Sequence, residues 1–169
     1  MTKIYLYRHG ETEENKKHIL QGLMPGTLTE KGKRQAESSV DKLKSYSIDL
    51  ILCSDIKRCQ DTAAIINKQL HLQTIYTPLL RERDWGDATG MVVDGVTKIV
   101  IPENAESVAT MRKRAKLFLD YVQSAFPGQT ILAVSHGLFC RCIQAVYHNV
   151  EIADIKPMGN TETRLIEIG

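Results

Sequence analysis

The chain has 169 residues, of which 43% are hydrophobic and 25% are charged. A chain of this length and composition can bury an apolar core without metals or disulfides, so we expect a single domain over residues 1–169. Its formal net charge of +2 argues against a nucleic acid or a membrane surface as a partner. Because no apolar run has the length of a membrane span and no signal sequence precedes the first strand, we expect a cytoplasmic protein.

The four cysteines, Cys53, Cys59, Cys140 and Cys142, lack the spacing of a disulfide framework. Cys140 and Cys142 lie two residues apart on a predicted helix, so they face different directions and do not suit a zinc site. We expect all four to be reduced, buried side chains.

The first predicted strand is the apolar run from Ile4 to Tyr7, which breaks at Arg8 and His9. Residues 21–28 then contain two glycines and a proline, which indicates a loop. We expect this loop to expose the polar side chains near it, namely Asn15, His18 and Gln21. Thr29 predicts the N-cap of a helix that runs to about Lys44.

The middle of the chain predicts two more strands and a long loop. A second buried strand is predicted over residues 50–53, and Ser54 or Asp55 would cap the next helix, which has Arg58 in its first turn. Residues 71–77 predict a third strand. The polar, glycine-containing segment 84–104 predicts a loop that acts as a lid.

The C-terminal third repeats the pattern of the first strand. Ser107 predicts the start of a helix whose apolar face runs from Val108 to Val122. A buried strand over residues 130–134 again ends in polar residues, Ser135 and His136, and a short helix over residues 138–147 follows. Residues 162–168 alternate between apolar and polar, which is typical of an edge strand.

This alternation of strand and helix predicts an α/β fold: a three-layer α/β/α sandwich with a mostly parallel sheet and an antiparallel C-terminal edge strand. Ligands bind at the carboxyl ends of parallel strands, which meet at one edge of the sheet. The charged side chains that would converge there are Arg8, His9, Arg58, Glu82 and His136. Two arginines, two histidines and one carboxylate suit phosphoryl transfer.

These motifs resemble those of the histidine phosphatase superfamily, the phosphoglycerate-mutase-like proteins. The matching residues occur in order along almost the full chain: Arg8 to Thr12 with Asn15; Gly22, Leu28-Thr29, Gly32 and Gln35-Ala36; Ser54-Asp55 with Arg58 and Thr62-Ala63; Glu82 before Gly86 and Gly90; Glu106-Ser107; and Val134 to Gly137. The chain is similar to the phosphatase branch of this superfamily, because several motifs together are far more specific than one.

The resemblance implies a role for each residue at the strand ends. His9 would be the nucleophile that forms a phosphohistidine, and Glu82 would be the proton donor. Arg8, Arg58 and His136 would bind the phosphoryl group. The other implied substrate-binding positions are Asn15, Gln21, Gly22 and Gly137. The substrate would be a small phosphorylated metabolite, and neither a metal nor a cofactor is expected, because the arginines and His136 already form a cationic clamp.

Several residues depart from the common pattern of the superfamily. They are Asn104-Ala105 in place of Gly-Gly, Thr89 in place of Glu, Cys59 in place of Ala, and Pro25 and Thr27 in place of Asp and Pro. None of these changes removes a catalytic group, but they bear on the pocket walls, so the substrate cannot be assigned by analogy. His18, His71 and His148 match no catalytic position.

Two other enzyme classes lack a necessary partner motif. Ser135-His136 has no Gly-x-Ser-x-Gly elbow of a serine hydrolase, and His9-Gly10-Glu11 has no Pro-Cys-x-x-Cys partner of a deaminase. Two alternatives stay open: a phosphoglycerate-type mutase, and a non-catalytic phospholigand-binding regulatory protein. A mutase must keep its phosphorylated intermediate covered, and the mutases of the superfamily have a longer insertion between Glu82 and Glu106. We therefore favour a phosphatase, and the complete catalytic set argues against a regulatory protein.

Overall fold

The computed structural model of the protein describes residues 1–169 and contains five strands and five helices. In chain order they are β1 (Thr2–Arg8), α1 (Glu13–Lys16), α2 (Glu30–Lys44), β2 (Leu50–Ser54), α3 (Lys57–Leu70), β3 (Thr74–Thr77), α4 (Val108–Ala125), β4 (Thr130–Ser135), α5 (Gly137–His148) and β5 (Thr163–Ile168). Short 3₁₀ turns lie at Pro78–Leu80, Gly86–Ala88 and Ile152–Asp154. None of the helices is both long enough and apolar enough to span a membrane.

The strands form one sheet in the order β3-β2-β4-β1-β5. The first four are parallel to their neighbours, and β5 runs antiparallel to β1 at one edge. This arrangement confirms the predicted mostly parallel sheet with an antiparallel C-terminal edge strand. The register pairs Arg8 with Ser135, and Cys53 with Val134, so the polar ends of three strands lie side by side.

Apolar residues cover both faces of the sheet. On one face, α4 and α5 bury side chains such as Met111, Phe118 and Phe139, and on the other, α2 and α3 bury side chains such as Leu43 and Ile66. Because the central strands are buried on both faces, their sequences are continuously apolar and do not alternate. All four cysteines are free and buried, as expected.

Two predicted helix caps are confirmed and one is wrong. The Thr29 and Ser107 side chains accept hydrogen bonds from the first turns of α2 and α4. The N-cap of α3 is Ile56, which has no side-chain cap. The Ser54 hydroxyl faces His136, and the Asp55 carboxylate pairs with Arg81 at 2.6 Å.

Two further boundaries differ from the prediction. The third strand begins at Thr74, because His71 is the left-handed C-cap of α3 and the Asn67 side chain binds the backbone of Leu72. Val108 begins α4 but is 42% exposed, so the buried face of that helix starts at Met111.

The long loop after Glu82 is tied back to the loop after α1. Ile19 and Val92 form an antiparallel bridge, and the Val93 amide donates to the His18 carbonyl at 2.7 Å. This ribbon lies at the carboxyl edge of the sheet. A lid movement of this segment stays a prediction.

Candidate active site

A cavity of about 180 Å³ opens at the carboxyl edge of the sheet. Eight of the nine predicted site residues line it: Arg8, His9, Asn15, Gln21, Gly22, Arg58, Glu82 and Gly137. The ninth, His136, lies in contact with the site but is fully buried beneath it. His18, His71 and His148 are all exposed and lie outside the cavity lining.

The His9 ring is only 2% exposed and is oriented by the residue that follows it. Its Nδ1 lies 2.7 Å from the Gly10 carbonyl. Because a carbonyl can only accept, Nδ1 carries the proton and Nε2 keeps its lone pair. Burial, and then the positive charges of Arg58 and Arg8, hold the pKa of His9 well below its ordinary value. The ring is therefore neutral at physiological pH, and Nε2 carries the lone pair that a nucleophile needs.

Two guanidinium groups face this ring, and neither forms a salt bridge. The Arg58 side chain is 1% exposed, and its Nε donates to His9 Nε2 at 3.3 Å. Its other nitrogens donate to the carbonyls of Met24 and Gly22. Arg8 donates through one nitrogen to the Met158 carbonyl at 2.6 Å, while its buried Nε has no partner. Arginines that lie in a cavity wall without carboxylate partners form a site for an anion.

Gly22 and Gly137 are needed by the arginines they contact. Gly22 has a φ of +52° and presents its carbonyl to Arg58. A Cβ at Gly137 would lie 2.9 Å from Arg8 Nε. The Gly22 carbonyl therefore binds Arg58 directly, whereas the lack of a side chain at Gly137 leaves room for Arg8.

His136 is the N-cap of α5 and is fully buried. Its ring centroid lies 5.4 Å from that of His9, with the two rings nearly edge to face. Its Nε2 is 2.9 Å from the Ser54 hydroxyl and 3.4 Å from the Cys59 sulfur. Burial, and then the charge of Arg58, hold the pKa of His136 well below its ordinary value.

The Glu82 carboxylate lies at the N-terminus of α5, where backbone N–H groups have no helical partner. One oxygen accepts from the amides of Arg83 and Phe139 at 2.9 and 3.1 Å. The other accepts only from Leu138, at 3.3 Å. This second oxygen, Oε2, is therefore the less occupied one and can exchange a proton with a ligand in the cavity.

A salt bridge outside the cavity, between Arg114 and Glu106, holds the segment that carries Glu82. Arg114 pairs with Glu106 at 2.9 Å and donates to the carbonyls of Leu79, Arg81 and Glu82. The Ser135 hydroxyl adds a bond of 2.7 Å to the Leu80 carbonyl. These contacts hold the backbone in place just after the 3₁₀ turn at Pro78–Leu80, and they thereby orient Glu82.

The sequence did not reveal two contributors from the loop before β5. Asn160 donates to the His9 carbonyl at 3.1 Å and to the Asn15 side chain at 3.3 Å, and Met158 supplies the carbonyl that holds Arg8. Nothing local marks these residues. Only the proximity of β5 to β1 places them at the site.

Gln21 was expected on the surface but is only 7% exposed. Its side-chain oxygen accepts from the Thr12 hydroxyl at 3.1 Å. The amide nitrogen of Gln21 has no assigned partner, so it is a donor available at the cavity wall. Trp85 completes the wall, and the guanidinium of Arg83 lies 4.5 Å from its ring centroid.

The described residues contain no group of three or more His, Cys, Asp or Glu side chains arranged to hold a metal ion. A second, larger cavity of about 460 Å³ adjoins the first and shares Glu82 with it. Its other walls come from the loop around Asn104 and Ala105 and from α4. Two of the residues that depart from the common pattern of the superfamily therefore border the space next to Glu82.

The chain is similar to known proteins in sequence and in fold. The sequence pattern of the family described as "Histidine phosphatase superfamily (branch 1)" matches residues 4–169. The chain is 38% identical over 140 residues to a Bacillus subtilis protein called uncharacterized phosphatase PhoE, covering 81% of this chain and 72% of the relative. It is 34% identical over 158 residues to a Cronobacter sakazakii protein with the provisional name phosphoglycerate mutase GpmB, covering 85% and 73%.

The solved structure of YhfR from Bacillus stearothermophilus superimposes on the whole chain and on 92% of its own length. The TM-score is 0.92 at 25% sequence identity. The overall fold of the chain is therefore one already seen in an experimental structure.

Proposed function

The chain belongs to the histidine phosphatase superfamily, and from its site we propose that it hydrolyses phosphomonoesters of small metabolites through a phosphohistidine on His9. The observation that carries the proposal is the pair of guanidinium groups, the fully buried Arg58 and the partly buried Arg8, that face a neutral imidazole and form no salt bridge. The oxygens of a bound phosphoryl group would accept hydrogen bonds from Arg8 and Arg58, and its phosphorus would lie against the lone pair of His9 Nε2.

In the first step, the Nε2 lone pair of His9 forms a bond to phosphorus as the bond to the ester oxygen breaks. Glu82 gives its proton to the departing alkoxide, and Arg8 and Arg58 stabilise the charge on the equatorial oxygens. The Gly10 carbonyl keeps the Nδ1 proton in place and stabilises the positive charge that develops on the ring. The products of this step are the free alcohol and phosphohistidine.

In the second step, the Glu82 carboxylate takes a proton from a water molecule that attacks the phosphorus. The bond to Nε2 breaks, its electron pair returns to His9, and inorganic phosphate leaves. Splitting the hydrolysis into two displacements at a preformed anion site avoids a direct attack of water on a dianionic ester.

A mutase is the second candidate, because one of the relatives has a provisional name of that kind. A mutase must prevent water from reaching the phosphohistidine. The segment between Glu82 and Glu106 is short, and only Trp85 from it lines the cavity. Assay of phosphoglycerate isomerisation beside phosphate release distinguishes the two activities.

The phosphohistidine is tested by rapid quench without acid, using a labelled phosphomonoester. Wild type should form a phosphoenzyme that is labile in acid and stable in base, and His9→Ala should form none. The matched control is His18→Ala, since His18 is exposed and outside the cavity. Full labelling of His9→Ala would refute the assignment of the nucleophile.

A further inference from the structure

The Ser54 hydroxyl lies at the base of the site and has two polar partners. It is fully buried at the carboxyl end of β2. The Ile56 amide donates to Ser54 Oγ at 3.3 Å. The other neighbour, His136 Nε2, is 2.9 Å away. Because an N–H can only donate, the hydroxyl proton has a single acceptor available, which is His136 Nε2.

The direction of this hydrogen bond determines where the proton of neutral His136 resides. If Nε2 carried the proton, Ser54 Oγ would face two N–H donors and its own proton would be buried without an acceptor, an arrangement that folded proteins avoid. If Ser54 donates to Nε2, the Ser54 hydroxyl, the Ile56 amide and His136 Nε2 each have a hydrogen-bond partner. The Cys59 sulfur lies 3.4 Å from Nε2 and 3.9 Å from Nδ1 of His136. It fits the same arrangement, because the thiol can donate to the Ser135 carbonyl at 3.4 Å and the sulfur is at most a weak acceptor for the Nδ1 proton.

We propose that Ser54 is a positioning residue that holds His136 in the tautomer with its proton on Nδ1, so that His136 serves the phosphoryl site as a neutral hydrogen-bond donor. This inference concerns the same site. It rests on the proposed function in one respect only, which is that the group accepting the hydrogen bond from His136 would be a phosphoryl group. The cationic charge of the clamp then comes from the arginines, and His136 adds a directed N–H without a further charge.

The surroundings of His136 favour the neutral ring. The titratable and charged groups that act on it come from three other elements: Arg8 and His9 at the end of β1, Arg58 and Cys59 on α3, and Arg114 on α4. The arginines all disfavour a second proton on His136. A second proton on Nε2 would also turn the acceptor of the Ser54 hydroxyl into a donor.

The tautomer is measured directly by ¹⁵N–¹H correlation spectra of the imidazole nitrogens, with the His136 signals assigned by their loss in His136→Asn. Wild type should show a protonated Nδ1 and an unprotonated Nε2 on His136. Ser54→Ala should give a mixture of tautomers and a higher pKa for His136, because the neutral ring loses the donor to its lone pair. Its kcat/KM should fall by about 10- to 100-fold, the range seen when an outer partner of a functional histidine is removed.

Ser39→Ala is the matched control, because Ser39 also shares a hydrogen bond with another side chain, Tyr7, but lies outside the cavity. It should leave the His136 tautomer and kcat/KM unchanged. A wild-type His136 protonated on Nε2, or an unaltered tautomer in folded Ser54→Ala, would overturn the inference. These spectra need no substrate, so they stand apart from the phosphoenzyme test, and the wild-type spectrum decides even if Ser54→Ala does not fold.

Discussion

At the scale of single residues, the site combines a neutral nucleophile with unpaired cations. His9 is neutral because burial and two neighbouring arginines oppose its protonation. Arg8 and Arg58 keep their charge available because no carboxylate neutralises them within the cavity wall, apart from the longer-range charge of Glu82. Glu82 is bound to backbone amides and is thus held away from both arginines.

Glu82→Gln should affect substrates according to how strongly their leaving groups need a proton. An alkyl phosphate expels a basic alkoxide, whereas a nitrophenyl phosphate expels a stable phenolate. Single-turnover formation of the phosphoenzyme should therefore slow by about 10²-fold or more for the alkyl substrate and distinctly less for the aryl substrate. Single turnovers are needed because Glu82 also acts in the hydrolysis step that both substrates share.

Equal losses for the two substrates would show that Glu82 only supports the cavity. The acid would then be sought at Asp84, which borders the adjoining cavity.

At the scale of elements, the close approach of α2 to the loop after β1 holds the nucleophile. Gly10 and Gly32 cross with so little space that a Cβ on Gly10 would lie 2.6 Å from the Gly32 carbonyl oxygen. The Gly10 amide also donates to the Thr62 hydroxyl on α3 at 3.1 Å. The carbonyl that orients His9 is therefore positioned by two helices packed on the same face of the sheet.

Gly32→Ala should destabilise the protein although alanine is the better helix former. Helix propensity alone predicts a gain of about 1 kcal/mol. The new Cβ would instead clash with the Glu11 carbonyl oxygen, a backbone atom that cannot move alone. We expect a net loss of about 1–3 kcal/mol in the free energy of unfolding, measured in urea, together with lower activity.

Gly159→Ala is the control for this change, because its Cβ would meet only a side-chain oxygen of Glu162 at 3.8 Å. A Gly32→Ala variant as stable as Gly159→Ala would contradict the crowded contact between α2 and the loop.

At the scale of the whole molecule, the two buried histidines link stability to pH. His9 and His136 have folded pKa values well below the 6.5 expected for an exposed ring. Below that value the unfolded chain binds protons that the folded chain does not. The contribution of the two neutral histidines to the free energy of unfolding is thus complete above about pH 6.5. It is lost as the pH falls towards their folded pKa values.

The free energy of unfolding, measured in urea, should be lower at about pH 5.5 than at about pH 7.5. Below pH 6.5 it should fall by up to about 1.4 kcal/mol per pH unit for each of the two histidines. His9→Asn should reduce the slope by roughly half, because one of two buried imidazoles is removed. His71→Asn should leave the slope unchanged, because His71 is exposed and asparagine tolerates its left-handed conformation. Equal stability of wild type at both pH values would contradict neutral burial of the two rings.

The sequence by itself determined the presence of the five strands, the four longer helices and most of the groups at their ends, whereas the short helix α1 was not predicted. Continuous apolar runs marked β1, β2 and β4 because those strands are buried on both faces. Thr29 and Ser107 marked helix starts because a cap acts on residues within the same turn. The predicted members of the cavity wall were found because they lie near the end of a predicted strand or match a motif position of the superfamily.

Only the tertiary structure decided how distant segments complete the site. Asn160 reaches the His9 carbonyl across 151 positions of sequence, and Ser54 faces His136 across 82. Local sequence also assigned Ser54 to a helix cap, because a serine at the end of a strand can bond either to the next turn or to a neighbouring strand. The choice depends on which strand lies beside β2, and the pairing of β2 with β4 brings the imidazole of His136 within reach of that hydroxyl.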